Sequence, residues 1–182
     1  MRDCFRLSSL IRGTLITVYL ALVVPLPLMA PPSLRITLWI AAPLGFFIVL
    51  ALLSEEVSVD ETGVVVGHPQ WCRWLLRRGW TLRWDQIRRV VPVGTSQGGS
   101  VYYLKTSNEG HRLLPQRLER FDQFLQVVED RTGIETSGIG RLTPPWTYQL
   151  LAALALSMLI AEVVIFIGLQ LSWFTLPEGY PG

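Results

Sequence analysis

The sequence predicts an α+β membrane protein in which three transmembrane helices, an N-terminal hairpin plus a C-terminal helix, flank a small antiparallel β domain closed by one C-terminal α-helix. Three observations predict it. The chain of 182 residues is half hydrophobic and only 16% charged, and its charge gathers in the middle, a distribution foreign to an ordinary soluble domain. Three long apolar stretches lie outside that middle region, two before it and one after. Within it, polar and apolar residues alternate as in strands and then switch once to a helical period.

Taken in order, Gly13 to Ala30 (GTLITVYLALVVPLPLMA) and Ile36 to Leu53 (ITLWIAAPLGFFIVLALL) each run eighteen residues without a charge. At 1.5 Å per residue each just reaches across the hydrocarbon of a bilayer. The proline-broken linker Pro31-Pro32-Ser33-Leu34-Arg35 makes them a tight hairpin. Arg2, Arg6 and Arg12 ahead of the first run also suit a cleaved signal peptide, but Leu28 stands where a small residue is needed and Pro31 would follow the cut, so the segment is read as an anchor. The third stretch, from Thr147 to Phe174, is long enough to cross with some tilt and carries Trp146, Tyr148 and Trp173 at its ends, where an interface selects aromatic residues.

The middle region opens with alternation from Glu55 to Asp60, a turn at Glu61-Thr62-Gly63 and a return through Val64-Val65-Val66, a hairpin signal directly after the second helix. Further strands are predicted at 80–84, 87–93, 101–106 and 111–114, the later ones separated by the turn residues Gly94 to Gly99 and Ser107 to Gly110. The expected sheet is an antiparallel meander. After Pro115, Leu118, Phe121, Phe124, Leu125 and Val128 recur at helical spacing and stop at Arg131-Thr132-Gly133. One amphipathic helix therefore covers the sheet. The domains read as residues 1–53 (hairpin), 54–136 (soluble domain) and 137–182 (linker, third helix and tail).

Orientation follows from the arginines. Three precede the first helix, one, Arg35, sits in the hairpin loop, Arg141 precedes the third helix and none follows it, so the N-terminus and the soluble domain are expected in the cytoplasm and the C-terminus on the opposite side of an inner or thylakoid membrane.

A net charge of +2 is too small for bulk nucleic-acid binding. Two cysteines, Cys4 and Cys72, and two histidines, His68 and His111, are too few and scattered for a metal centre or a disulfide framework. The adjacent acidic pairs 55–56, 60–61 and 129–130 read as solvated surface. The glycine-rich pieces at 94–99 and 137–141 lack the ending and context of a phosphate loop. No cofactor, metal or catalytic residue is predicted, and the chain is not read as an enzyme.

Two features remain. In Trp71-Cys72-Arg73-Trp74-Leu75-Leu76-Arg77-Arg78-Gly79-Trp80, with Arg83 close behind, aromatics interleave with arginines. One reading makes Trp71, Arg73, Trp74, Arg77, Arg78, Trp80 and Arg83 a membrane-surface segment that meets anionic lipid headgroups; the other packs the tryptophans in the core and leaves the arginines solvated. Both stand, and nucleic acid is the weaker partner because a membrane is the nearer anion. The second feature is Glu162, an ionisable group near the centre of the third helix and a functional-site candidate by position. With no cation in any span to pair with, it is expected to dock helices by hydrogen-bonding near Ser157, to Thr14, Thr17 or Tyr19, or to a partner subunit.

The order of membrane hairpin, Glu61-Thr62-Gly63-Val64 turn, Trp84-Asp85-Gln86-Ile87-Arg88-Arg89-Val90, Tyr102-Tyr103-Leu104-Lys105-Thr106 and Leu113-Leu114-Pro115 before a helix with Phe121 and Phe124 resembles the bacterial pleckstrin-homology-like (PH-like) membrane proteins from about Gly13 to Gly133. The whole chain, including Gly98-Gly99-Ser100-Val101-Tyr102-Tyr103-Leu104 and Pro145-Trp146-Thr147-Tyr148, is also similar to uncharacterised cyanobacterial membrane proteins. These resemblances imply binding rather than turnover: a non-catalytic, membrane-anchored interaction module, an assembly or accessory factor of a membrane protein complex. The photosystem I assembly factor of chloroplasts and cyanobacteria has a similar plan, which points to a photosynthetic complex. An accessory subunit of a transporter or channel that uses Glu162 is the alternative.

Overall fold

The structure, a computed structural model, describes residues 3–76, 79–96, 98–107 and 110–171. The chain divides into two compact units, one of residues 1–11 and 51–144 and the other of residues 12–50 and 145–182.

The first unit is α+β. Strands β1 (Asp3–Arg6), β2 (Glu56–Val59), β3 (Gly63–Gly67) and β4 (Trp80–Arg83) form one antiparallel sheet in that order, and β5 (Ile87–Gly94), β6 (Ser100–Thr106) and β7 (His111–Leu113) form a second. The single meander expected from the alternation is thus cut in two. Its cut is a 3-10 turn at Trp84–Gln86, and the reason is Trp84, whose ring is buried while its indole nitrogen donates to the Asp60 carbonyl at 2.9 Å. Burying an indole without a partner for its N–H is costly, so the ring and the bend are fixed together.

Local chemistry sets the β2–β3 turn. The Asp60 carboxylate accepts from the backbone N–H groups of Thr62 at 2.8 Å and Gly63 at 3.0 Å and from the Thr62 hydroxyl at 2.6 Å, an Asx turn. Gly63 is required by close approach: a Cβ there would run into the Leu82 carbonyl and the Arg83 Cα of β4. Both sheets share one core, in which Val57, Val64 and Leu82 meet Ile87 and Leu104. Helix α4 (Phe121–Thr132) covers it with Phe121, Phe124, Leu125 and Val128, the residues whose spacing predicts the helix. It ends where expected, on Gly133 at φ +69°, whose N–H donates to the Glu129 carbonyl at 2.8 Å. A left-handed C-cap of this kind suits glycine.

Strand β1 was not expected from the sequence. It precedes the first helix, yet it pairs with β2 from Asp3 opposite Val59 to Arg6 opposite Glu56. Its other edge meets the approach to α4: Leu7 bridges Leu118, Ser8 N–H donates to the Arg117 carbonyl, and Glu119 N–H donates to the Arg6 carbonyl. Phe5 is 3% exposed and stands edge-on to Phe124 with ring centroids 5.6 Å apart. The helical hairpin is therefore an insertion between two paired strands.

The segment after α4 also belongs to this unit rather than trailing free. Tyr102 donates its hydroxyl to the Gly138 carbonyl at 3.0 Å, and the buried Gln116 donates to the carbonyls of Ser100 at 3.1 Å and Gly140 at 2.8 Å. Arg141 reaches Asp122 at 3.3 Å and lies over the Phe121 ring.

The second unit holds α2 (Pro25–Met29), α5 (Pro145–Gln170) and all but the ends of α1 (Ser9–Val23) and α3 (Pro32–Leu52), whose first three and last two residues respectively belong to the first unit. Three runs, Ser9–Met29, Pro32–Leu52 and Pro145–Gln170, of 21, 21 and 26 residues, are long and apolar enough to cross a membrane. Pro25 interrupts the hydrogen-bond ladder between α1 and α2 without bending the chain away, since Val24 keeps helical angles at φ −60°, ψ −42°. Ala30, before Pro31, is extended at φ −74°, ψ 147°, the conformation that the ring of a following proline favours. Tyr19 donates to the Ala42 carbonyl at 2.6 Å, packs on the Phe46 ring, and fits because Gly45 offers no Cβ to its hydroxyl. The expected end of the third helix at Phe174, and the tail, lie outside the described residues.

Candidate functional site

The Trp/Arg segment is the connection between β3 and β4, and the strand register fixes where it leaves the sheet. Arg6 pairs with Glu56, Glu56 with Gly67, and Val66 with Trp80. The end of β1, the start of β2, the end of β3 and the start of β4 therefore stand together. At that one sheet end the chain departs toward α1, returns from α3, and emits the loop of residues 68–79.

The loop is turned rather than extended. Cys72 and Arg73 N–H groups both donate to the Pro69 carbonyl, and Leu75 and Leu76 both donate to that of Cys72. Such turns place one side inward and the rest outward. Cys72 is fully buried, and its sulfur hydrogen-bonds the Ser54 hydroxyl at 3.1 Å, two residues after α3 ends. Trp71, Trp74 and Leu75 are 45%, 76% and 40% exposed, and Arg73 is exposed beside them. The Trp74 indole donates to the Trp71 carbonyl at 2.9 Å, which holds the two rings on one local turn. Gly79 closes the loop where a Cβ would strike the Val66 carbonyl.

The structure does not bring all the predicted residues together. Trp80 is half-buried and packs against the core. Arg83 stands at the far end of β4, opposite Gly63, in an exposed ion pair with Asp85 at 2.9 Å. Arg77 and Arg78 lie outside the described residues.

Sequence reasoning missed a surface that only register can assemble. On the outer face of the second sheet Arg89, Lys105 and His111 form one row across three strands, Val91, Tyr103 and Leu113 the next, and Val93 with Val101 a third. Leu113 is 50% exposed. Arg89 and Lys105 stand directly opposite, an arrangement of like charges that costs stability, and neither has an ion pair among the described residues. No sequence period reveals such a row, because its members are far apart in the chain. A separate cleft of about 270 Å³, with Leu7, Glu55, Trp80, Leu113, Gln116 and Arg117 among its lining residues, opens near the sheet end that emits the loop.

Glu162 lies in α5 on a stripe with Tyr148, Ala152, Ala155 and Leu159, all half-buried or buried. These positions follow one another at three- and four-residue steps, the spacing of a packed helix face. The hydroxyls nominated as its partners point elsewhere: Thr14 donates to the Tyr148 carbonyl at 3.2 Å, Thr17 to Gly13, Tyr19 to Ala42 and Ser157 to Leu154. Among the described residues no group of three His, Cys, Asp or Glu side chains gathers as a metal site.

The sequence is 38% identical over 156 residues to the uncharacterized protein slr0269 of Synechocystis sp. (strain ATCC 27184 / PCC 6803 / Kazusa), a match that spans 82% of this chain and 78% of that protein. The chain belongs to the slr0269 family. The expected similarity to uncharacterised cyanobacterial proteins is thereby found. No family model matches the sequence, and no solved structure matches it. Three features of this member of the slr0269 family stand out among the described residues: the β3–β4 loop, the row of Arg89, Lys105 and His111 on the second sheet, and Glu162 on the half-buried stripe of α5.

Proposed function

We propose that this protein is a non-catalytic interaction module held in a membrane by its three apolar helices, and that it accompanies or assists the assembly of a membrane protein complex. The observation that carries the reading is the row Arg89, Lys105 and His111 beside Val91, Tyr103 and Leu113. A sheet face that keeps like charges abreast around an apolar ridge gains by meeting an acidic, partly apolar protein surface, which removes the repulsion and covers the ridge. Among the described residues, seven antiparallel strands in sheets of four and three, followed by one helix, support a PH-like reading of the domain, a fold plan suited to binding rather than turnover. That step is an analogy of architecture. In this reading the cyanobacterial source of the relative suggests a photosynthetic complex in a thylakoid or inner membrane, and the arginines ahead of the first and third helices put the domain on the cytoplasmic side.

The test is purification of the tagged full chain in mild detergent from its own organism, beside Arg89→Glu/Lys105→Glu. The expected result is a defined membrane complex, in constant ratio to the bait, that is lost in the double variant. Recovery of the same complex with both proteins, or of none with either, overturns the proposal. Unchanged levels of photosynthetic complexes in a deletion strain remove the photosynthetic version alone.

Glu162 supports a second reading, an accessory subunit of a transporter or channel, because it sits on the packed stripe of α5 while the nominated hydroxyls are used elsewhere. A carboxyl so placed gains from a donor on another membrane subunit.

A further inference from the structure

We infer that the β3–β4 loop is a second attachment to the bilayer, with Trp71, Trp74 and Leu75 entering the headgroup layer and Arg73 meeting lipid phosphate. The inference rests on the proposed reading that the helices cross a membrane and deepens it by naming lipid as a ligand of the domain. Its first support is register. Arg6, Glu56, Gly67 and Trp80 share one sheet end, and the connection from α3 to β2 is only residues 53–55. A chain leaving and re-entering lipid beside that end keeps the loop near the interface, because three residues span at most about 10 Å.

The second support is the division of the loop into a fixed base and an apolar tip. Cys72 is fully buried and bonded to Ser54 at 3.1 Å, so the base is tied to the residues that follow α3. The tip carries two large indoles and a leucine that are 45%, 76% and 40% exposed. In water this is a cost. In a headgroup layer indole is the side chain of choice, since its body is apolar and its N–H is polar. Arginine beside it adds on attraction to anionic lipid. A protein partner for the same tip is the competing occupant, and the experiment separates the two.

The experiment uses the purified full chain in nanodiscs of phosphatidylcholine with phosphatidylglycerol, and no other protein. The emission of Trp71 and Trp74 is obtained by subtracting that of Trp71→Phe/Trp74→Phe, whose thermal midpoint serves as the control for folding. The expected difference spectrum is blue-shifted, loses most of its intensity when the phosphatidylcholine is brominated near the headgroup, and resists acrylamide. A difference spectrum quenched by acrylamide as freely as a peptide tryptophan and insensitive to brominated lipid overturns the inference. An independent reading comes from a nitroxide at Trp74→Cys in a Cys4→Ser background, Cys72 being buried: collision with oxygen above collision with a water-soluble nickel chelate is expected, and the reverse order is fatal. Neither outcome depends on the co-purification test, so the loop can fail while the interaction module stands.

Discussion

At the residue scale, position in the sheet decides what each side chain of the Trp/Arg run does, and composition does not. Trp74 and Trp80 are alike in sequence context, each next to leucine or threonine and near arginine. Trp80 lies on β4, where pairing with Val66 turns it to the core, whereas Trp74 lies on a turn whose inward place is taken by Cys72. Reading the run as wholly interfacial or wholly core therefore had no right answer from sequence alone. Another link invisible in sequence joins Glu129 to Thr136, whose N–H and hydroxyl donate to the same carboxylate oxygen at 3.1 and 2.7 Å. The Thr136 hydroxyl first and its N–H second hold the Glu129 carboxyl below its ordinary value of 4.5, against a smaller opposing effect of desolvation. A lowered folded value means that the unfolded chain takes up the proton first as pH falls. The stabilising share of this link is thus complete above the ordinary carboxylate range and disappears as pH drops through the lowered folded value. Thermal midpoints of the full chain and of Glu129→Gln, compared in detergent from neutral pH down to about pH 3, should differ most at neutral pH and converge in acid. A gap that stays constant across the range would show that the carboxylate does not carry the link.

At the element scale, legibility tracks length and context. The strands at 80–84, 87–93, 101–106 and 111–114 and the helix after Pro115 announce themselves by alternation, turn residues and period, and the structure places strands or a helix at each within a few residues. Strand β1 does not, because four residues ahead of an apolar helix, with Arg2 before them and Arg6 at their end, look like the charged flank of a membrane span. Its apolar signal is Phe5 and Leu7 alone. The break between the two sheets was equally hidden, since a 3-10 turn of Trp, Asp and Gln interrupts alternation without a glycine or proline. The contribution of β1 can be measured. Phe5 is buried edge-on to Phe124, and Arg120 lies over its ring with the guanidinium 5.3 Å from the centroid. Phe5→Ala should cost about 3 kcal/mol, as for other large aromatic truncations in cores, and should raise hydrogen exchange in β2, the strand that loses its partner. The exposed Cys4 next to it provides the control, and Cys4→Ala should leave both readings nearly unchanged. Equal midpoints for Phe5→Ala and Cys4→Ala would mean that β1 does not close the sheet.

At the scale of the whole molecule, the pairing of β1 with β2 turns an expected charge rule into a geometric constraint. Residues 3–6 and 56–59 exchange backbone hydrogen bonds, so both must lie on one side of any membrane that the hairpin between them enters. An even number of crossings is then obligatory, whatever the arginines prefer. Arg141, which the charge rule counts as a topological signal, is engaged with Asp122 and Phe121 and so also has a structural reason to stay with the domain. If α1 to α3 cross as proposed, Cys4 and a cysteine at Ser137→Cys should be labelled by an impermeant maleimide from the same side of sealed vesicles. A cysteine at Ser33→Cys, in the first turn of α3, should be labelled only from the other. The set is made in otherwise identical chains, with Cys4→Ser in the two engineered ones, and vesicle orientation is fixed by a marker of known sidedness. Labelling of Ser33→Cys from the domain side would mean that the hairpin does not cross, and both the bilayer attachment of the β3–β4 loop and the membrane-anchored module would fall with it. Labelling of Cys4 and Ser137→Cys from opposite sides would instead break the β1–β2 pairing, because strands separated by a bilayer cannot share a ladder.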